Sequence, residues 1–241
     1  MLYMSVIVLI PLAAVAVKAV SSGTGALWSS IDNTLALRAL AITLTASLVV
    51  AGIGAVMGTL VAWVLVRDAF PGRRFVNALI DLPFALPTIV AGLTLIALYG
   101  PGSPVGIHLA YTRAAVLVAL LFVTLPFVVR SVQPVLIELD REVEEASASL
   151  GAANATTFRR IVLPALRPAI FSGAALAFAR SIGEFGSLAL IAGKVQIASI
   201  VIYADVESGS EQSAAALSVL LMVVSLLVLF AIRQAGGRVG H

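Results

Sequence analysis

The sequence predicts an all-α integral membrane protein with six transmembrane helices and no separate soluble domain. Of its 241 residues, 61% are hydrophobic and only 11% are charged, and the mean hydropathy is +1.10. A soluble domain carries about 25% charged residues, so this composition excludes a soluble fold. The apolar runs are continuous, whereas the strands of a membrane barrel alternate between apolar and polar residues. Helices are therefore the predicted spanning elements.

Six apolar segments reach or approach the length of about 20 residues that a helix needs to cross a bilayer core of about 30 Å. The second segment is long enough to tilt or to extend into solvent, and the first is short, as expected of a helix on the outside of a bundle. No basic residue precedes the first apolar run, so we expect a retained helix rather than a cleaved signal peptide. The predicted spans cover residues 3–20, 38–66, 76–99, 114–137, 167–193 and 213–232.

Basic side chains predict how the spans are oriented. Nine arginines lie in one set of connections and the C-terminal tail, against four basic residues in the other set. Because cytosolic loops carry the excess of Lys and Arg, the first set, both termini and the segment 138–166 are predicted to be cytosolic. The same rule accounts for the net charge of +3 without nucleic acid as a partner. The first set is Arg67, Arg73, Arg74, Arg141, Arg159, Arg160, Arg167, Arg233 and Arg238, and the second is Lys18, Arg38, Arg113 and Lys194.

The segment 138–166 is too long and too polar to be a simple turn between two spans. Four acids stand where a first helix should begin, and the helix dipole favours acids at that end. Ala146 and Ser147 are small, so another surface can approach this helix closely. Gly151 suits the left-handed residue that commonly ends a helix. The four acids are Asp140, Glu142, Glu144 and Glu145.

A second short helix is predicted over residues 152–160, and Thr156 and Arg159 should be available on its surface. Pro164 and Pro168 should then redirect the chain into the fifth span, because proline interrupts a helix. Two interpretations remain open on this pattern. The segment is either a docking element for a soluble partner or an amphipathic hairpin whose charges serve solubility.

Two opposite charges lie inside the fifth predicted span. Arg180 is about 18 Å along that helix at 1.5 Å per residue, and an unpaired arginine at such depth costs roughly 2.5–3.5 kcal/mol. Glu184 follows at i, i+4, so both side chains share one helix face. The pair is either a structural ion pair or a pore-facing arginine that meets an anion, with the glutamate holding it. The neighbouring Gly183 and Gly186 weaken the helix, and a break there would expose N–H groups that suit an anion.

Two further polar residues lie near the ends of predicted spans. Arg130 is about eight residues from Glu138, so it either lines the pore or extends its side chain to the cytosolic interface. Asp81 precedes two prolines near the start of the third span, where a structural cap is favoured over transport chemistry.

Several kinds of chemistry have no residues to carry them. There are no cysteines, which excludes disulfides and thiolate metal sites, and no His-Glu-x-x-His motif is present. The phosphate-binding pattern Gly-x-x-x-x-Gly-Lys-Ser/Thr is also absent, so the chain should not bind ATP by that loop. We expect no catalytic residue, metal or cofactor in this chain. A secondary transporter would usually show two matched halves, which the sequence lacks.

The spacing of the 138–166 segment resembles that of permease subunits of ATP-binding-cassette (ABC) importers. The resemblance rests on Glu145-Ala146-Ser147, Gly151 and Ile161-Val162-Leu163-Pro164, with serine in place of a second alanine. Three other stretches resemble the sulfate/thiosulfate permease family, and its T subunit in particular. They are Asp81–Thr88, Thr124–Arg130 with Gln133-Pro134, and Ser181–Ser187.

This resemblance implies a type I importer permease fold in a bacterial cytoplasmic membrane. The 138–166 segment would be the coupling helix that docks in a groove of an ATPase subunit, and Ser181 would join Arg180, Glu184 and Arg130 along the substrate pathway. The implied partners are a related W-like permease, two ATPase subunits that bind ATP and Mg, and an outer binding protein that delivers sulfate or thiosulfate. Molybdate or tungstate is the alternative substrate. The coupling residues implied are Glu144, Glu145, Ala146, Ser147, Gly151, Ala152, Thr156 and Arg159.

Overall fold

The computed structural model describes residues 5–21, 23, 25, 28 and 32–237, and this part of the chain forms helices without any strand. Residues 3 and 4 of the first predicted span and Arg238 of the basic tail lie outside the described residues. A π-helical turn, Ser5–Leu9, precedes the first numbered helix. The helices are α1 (Ile10–Val20), α2 (Thr34–Arg67), α3 (Arg73–Ala85), α4 (Thr88–Tyr99), α5 (Arg113–Glu138), α6 (Arg141–Ser149), α7 (Asn154–Thr157), α8 (Leu163–Ile182), α9 (Gly186–Ile191), α10 (Ala198–Glu207) and α11 (Glu211–Gly237).

Four continuous helices are long and apolar enough to cross a membrane, and α3 with α4 forms a bent pair that makes a fifth if it counts as one span. The four are α2, α5, α11 and the continuous helix Asn154–Ile182, which joins α7 to α8. Helix α1 is apolar but shorter. The all-helical membrane class is therefore confirmed, whereas the described residues give four or five full-length spans rather than six.

The third predicted span, 76–99, is not one helix. The axes of α3 and α4 differ by 117°, and the break falls at Leu86-Pro87. Pro87 disfavours a helical conformation for the residue before it, and Leu86 is accordingly extended with φ −85° and ψ 132°. The apolar run 76–99 is long enough for one span, so its length alone did not indicate the break.

The fifth predicted span, 167–193, has the wrong bounds at both ends. Its helix begins at Asn154, so the predicted second helix over 152–160 is the first part of the span. A π-helical turn, Phe158–Val162, precedes Pro164, and both Pro164 and Pro168 lie within the helix. Pro164 has no N–H to donate, and its ring would crowd the carbonyls of the preceding helical turn. The wider π-helical turn shifts these carbonyls away from the ring. The helix ends at Ile182, and residues 183–185 separate it from α9.

The centre of the bundle is built by α2, α5 and α8. A Cβ atom on Gly58 of α2 would lie 2.7 Å from the Cβ of Val128, and one on Gly173 of α8 would lie 2.8 Å from the Cα of Val128. The missing side chains thus let both helices pack directly against α5. At the far side of the molecule, Leu226 and Phe230 of α11 remain 59% and 62% exposed, as suits a surface that faces lipid.

Candidate functional site

The 138–166 segment begins with a well-defined short helix. The Asp140 side chain accepts a 2.9 Å hydrogen bond from the Glu142 N–H and so caps α6. Gly151 has φ +83°, which confirms the predicted left-handed end. The Ala152 N–H donates to the Ser147 carbonyl at 3.1 Å, and the Gly151 N–H donates to the Ala148 carbonyl at 2.9 Å. These two bonds form a Schellman motif, which fixes where α6 stops.

A hydrogen bond between two hydroxyl groups ties α6 to the following span. Ser147 Oγ lies 2.9 Å from Thr157 Oγ1, and Thr157 is buried. Ser147 therefore forms an internal link that alanine could not make. Because Thr157 belongs to the continuous helix Asn154–Ile182, this hydrogen bond connects α6 to that span.

A second attachment joins α6 to the end of α2. Arg67 Nη2 donates to Glu144 Oε1 at 2.5 Å and to the Leu139 carbonyl at 3.2 Å. The Arg67 guanidinium also lies 5.8 Å from the centroid of the Trp63 ring. From the other side, Arg141 Nη2 donates to the Arg67 carbonyl at 3.3 Å. We call this set, Arg67 with Glu144, Leu139 and Arg141, the Arg67 brace.

The Arg67 brace was missed by sequence reasoning, which used Arg67 only as one of the basic side chains that orient the spans. Arg67 and Glu144 are 77 positions apart, and no local spacing relates them. Their side chains are only 10% and 22% exposed, so the pair is largely shielded from water.

The outer surface of α6 carries both charge and apolar area. Glu144 belongs to the Arg67 brace, whereas the next residue, Glu145, is exposed together with Ala146. Leu150 is 89% exposed and Val143 is 46% exposed. This surface of α6 therefore presents apolar area beside acidic side chains.

Three more of the predicted coupling residues lie beside this surface. Ala152 and Thr156 are half-buried, and Arg159 is exposed. Thr156 and Arg159 line a cavity of about 370 Å³ together with Ala155 and Arg160.

The predicted pair of charges is present at the break between α8 and α9. Arg180 Nη1 lies 2.7 Å from Glu184 Oε2. Glu184 Oε1 accepts bonds of 2.9 Å from both the N–H and the hydroxyl of Ser187. Glu184 is 1% exposed, whereas 33% of the Arg180 side chain is accessible. The glutamate is thus fully occupied in holding the break, and the arginine keeps an accessible surface.

The helix is interrupted at the two glycines, as predicted. The Ser187 N–H at this break, however, donates to Glu184 and is not available to an anion. Arg180 lies in the last turn of α8 rather than halfway along the span. Ser181 is 2% exposed, and its hydroxyl donates to the Ala177 carbonyl at 2.8 Å.

Arg130 has all five of its N–H donors paired within the protein. Nε and Nη2 donate to the two carboxylate oxygens of Asp81 at 2.7 and 2.5 Å. The other donors reach the side chain and carbonyl of Asn77, each at 3.0 Å, and Gln133 Oε1 at 2.5 Å. Arg130 and Asp81 therefore attach α3 to α5. The sequence analysis treated the two residues separately and did not predict this contact.

The helical arrangement is that of ABC importer permeases. One similar solved chain comes from a bacterial ABC transporter involved in import of the acidic polysaccharide alginate, with a TM-score of 0.82, 16% identity, and coverage of 100% of this chain and 93% of that one. A chain of the MetNI methionine ABC transporter gives a TM-score of 0.70 at 24% identity and covers 86% of this chain and 97% of its own. At these identities the likeness shows the fold alone.

The chain belongs to the family of binding-protein-dependent transport system inner membrane components, whose model matches residues 54–239. Among its relatives, the sulfate transport system permease protein CysT of Salmonella typhimurium is 41% identical over 100% of this chain and 91% of its own length. CysT of Synechocystis sp. is 42% identical over 98% and 87%, and the probable cysT protein of Nephroselmis olivacea is 41% identical over 99% and 88%.

Proposed function

We propose that this chain is a permease subunit of an ATP-driven importer that moves sulfate or thiosulfate across the bacterial cytoplasmic membrane. The observation that carries this proposal is the near full-length similarity, at 41–42% identity, to proteins described as sulfate transport permeases. The family to which the chain belongs consists of inner membrane components that work with binding proteins.

The 138–166 segment is where energy enters the chain in this proposal. The exposed surface around Glu145 and Leu150 docks on a separate ATPase subunit, which binds ATP and Mg. Two attachments carry the resulting motion inward, namely the Ser147–Thr157 hydrogen bond to the Asn154–Ile182 helix and the Arg67 brace to α2. Two long helices therefore move with the docked surface rather than one. This arrangement requires the segment to be cytosolic, and we place both termini on the same side, as the basic side chains predict.

The accessible part of Arg180 is our candidate for the point where the anion meets this chain. Glu184 cancels most of its charge at 2.7 Å, which would keep anion binding weak. Weak binding suits a pathway, because an ion that is held tightly does not leave. The rest of the pathway would come from a second, W-like permease subunit, and a binding protein would deliver the anion from outside.

The test is reconstitution of the chain with a W-like permease, two copies of the ATPase and the binding protein in liposomes. We expect labelled sulfate to be taken up only when ATP is present on the side of the liposome membrane that carries the ATPase subunits. Uptake that proceeds without ATP would contradict the proposal. Preferential uptake of molybdate over sulfate would assign the alternative tetrahedral dianion instead.

A further inference from the structure

A basic cavity lies between α3 and the ends of α2 and α5, beside the Arg130–Asp81 contact. Its volume is about 390 Å³, many times the share of about 30 Å³ that one water molecule occupies in the liquid. Arg73, Arg74 and Asn77 line it from α3, and Gln133 and Ile137 line it from α5.

The charge of this cavity is not cancelled within the protein. Arg130 also lines it, but Asp81 neutralises Arg130, and every Arg130 donor already has an acceptor. Neither Arg73 nor Arg74 has a carboxylate within 4.0 Å in the part of the chain that the structure covers. Two exposed positive charges therefore line the cavity without forming an ion pair among the described residues.

Neutral donors are oriented at the same place. Arg130 Nη1 and Gln133 Nε2 both donate to Asn77 Oδ1, at 3.0 and 3.2 Å. These two bonds hold the Asn77 amide oxygen toward Arg130 and Gln133, and its NH2 group donates to no acceptor among the described residues. Asn77 and Arg73 are four residues apart on α3, so they share one face of that helix.

We propose that this cavity, which we call the Arg73 pocket, binds a tetrahedral oxyanion through Arg73, Arg74 and the Asn77 amide. Guanidinium groups match sulfate and phosphate oxygens with paired N–H donors, and such charge-assisted bonds are stronger than neutral ones. The anion comes either from a phospholipid headgroup, with its acyl chain beside the 69% exposed Ile137, or from a free dianion in solution. The site rests on the proposed function only for its assignment to the cytosolic side.

The experiment uses the assembled transporter without its binding protein and replaces both arginines, as Arg73→Gln with Arg74→Gln. The first probe is phosphatidylglycerol, scored by native mass spectrometry after extraction from nanodiscs of phosphatidylglycerol and phosphatidylethanolamine. The second probe is inorganic sulfate, scored by equilibrium binding at low and high salt. The matched control is Arg167→Gln with Arg233→Gln, which removes the same charge from exposed positions elsewhere.

We expect the double variant to weaken one probe by at least about tenfold, since hydrogen bonds to charged groups contribute that much or more. Loss of phosphatidylglycerol identifies a lipid site, and loss of sulfate identifies a site for a free dianion. Equal retention of both probes by the double variant and the control overturns the proposal. Ile137→Glu gives the same test at an exposed residue if the double variant does not assemble, because it places a negative charge at the cavity. Both binding measurements are independent of uptake, so failure of the proposed transport function would not decide whether the Arg73 pocket binds an anion.

Discussion

Replacing Arg67 with methionine should detach α6 from the end of α2. Methionine keeps the apolar stem beside Trp63 but removes the ion pair to Glu144 and the hydrogen bond to Leu139. Removing one partner of a buried ion pair costs about 3–5 kcal/mol. Glu144 is 22% exposed and can be partly hydrated after the loss, so we take the low end, about 3 kcal/mol.

Because each 1.4 kcal/mol corresponds to a factor of ten, about 3 kcal/mol raises the local opening equilibrium of α6 by roughly 100-fold. Hydrogen exchange of the amides in α6, measured on the assembled transporter, reports this quantity directly. The transporter should also hydrolyse more ATP for each anion carried, because docking would no longer move α2.

The control is Arg167→Met, which removes an exposed arginine that has no carboxylate partner among the described residues. A double variant with Glu144→Gln should be no worse than Arg67→Met alone if the two side chains act as a pair. Unchanged exchange in α6, or an equal increase in the Arg167→Met control, would refute the reasoning.

Three further predictions concern the same two sites. Gly151→Ala places a side chain at φ +83°, which costs about 1–2 kcal/mol, and should lower uptake per ATP at normal protein levels. Glu145→Lys should have the same effect because it reverses an exposed charge. Normal uptake by both variants would count against the coupling role. Ser147→Ala keeps the small size but loses the hydroxyl bond, about 1 kcal/mol, and should raise the ATP consumed per anion, whereas Ser147→Thr should restore coupling if the hydroxyl matters. Arg180→Ala should strongly reduce anion uptake, and full transport by a variant with Arg180 and Glu184 exchanged would show that the pair is only structural.

Features that depend on neighbouring residues were predictable from the sequence. Helical membrane spans follow from the apolar runs, the end of α6 follows from Gly151, and the Arg180–Glu184 pair follows from its i, i+4 spacing. Each of these depends on geometry that one helix or turn supplies by itself.

Features that depend on how helices meet were not predictable. The Arg130–Asp81 contact joins residues 49 positions apart, and the Arg67–Glu144 contact joins residues 77 positions apart. Pro87 marks the break after α3 in the sequence, but the angle of 117° between α3 and α4 and the helical passage through Pro164 also depend on what packs around them. A hydropathy window measures the apolar length of a segment but not its direction.

Composition and local spacing are therefore enough to predict a helical membrane protein with a structured polar segment at 138–166. The attachment of this segment to two long helices became visible in the folded chain, as did the pairing of Glu144 with Arg67 while Glu145 stays exposed. The physical reason is that a charged side chain takes its role from the partner within hydrogen-bond reach. For Glu144 that partner is Arg67, which only the folding of α2 against α6 brings within 2.5 Å.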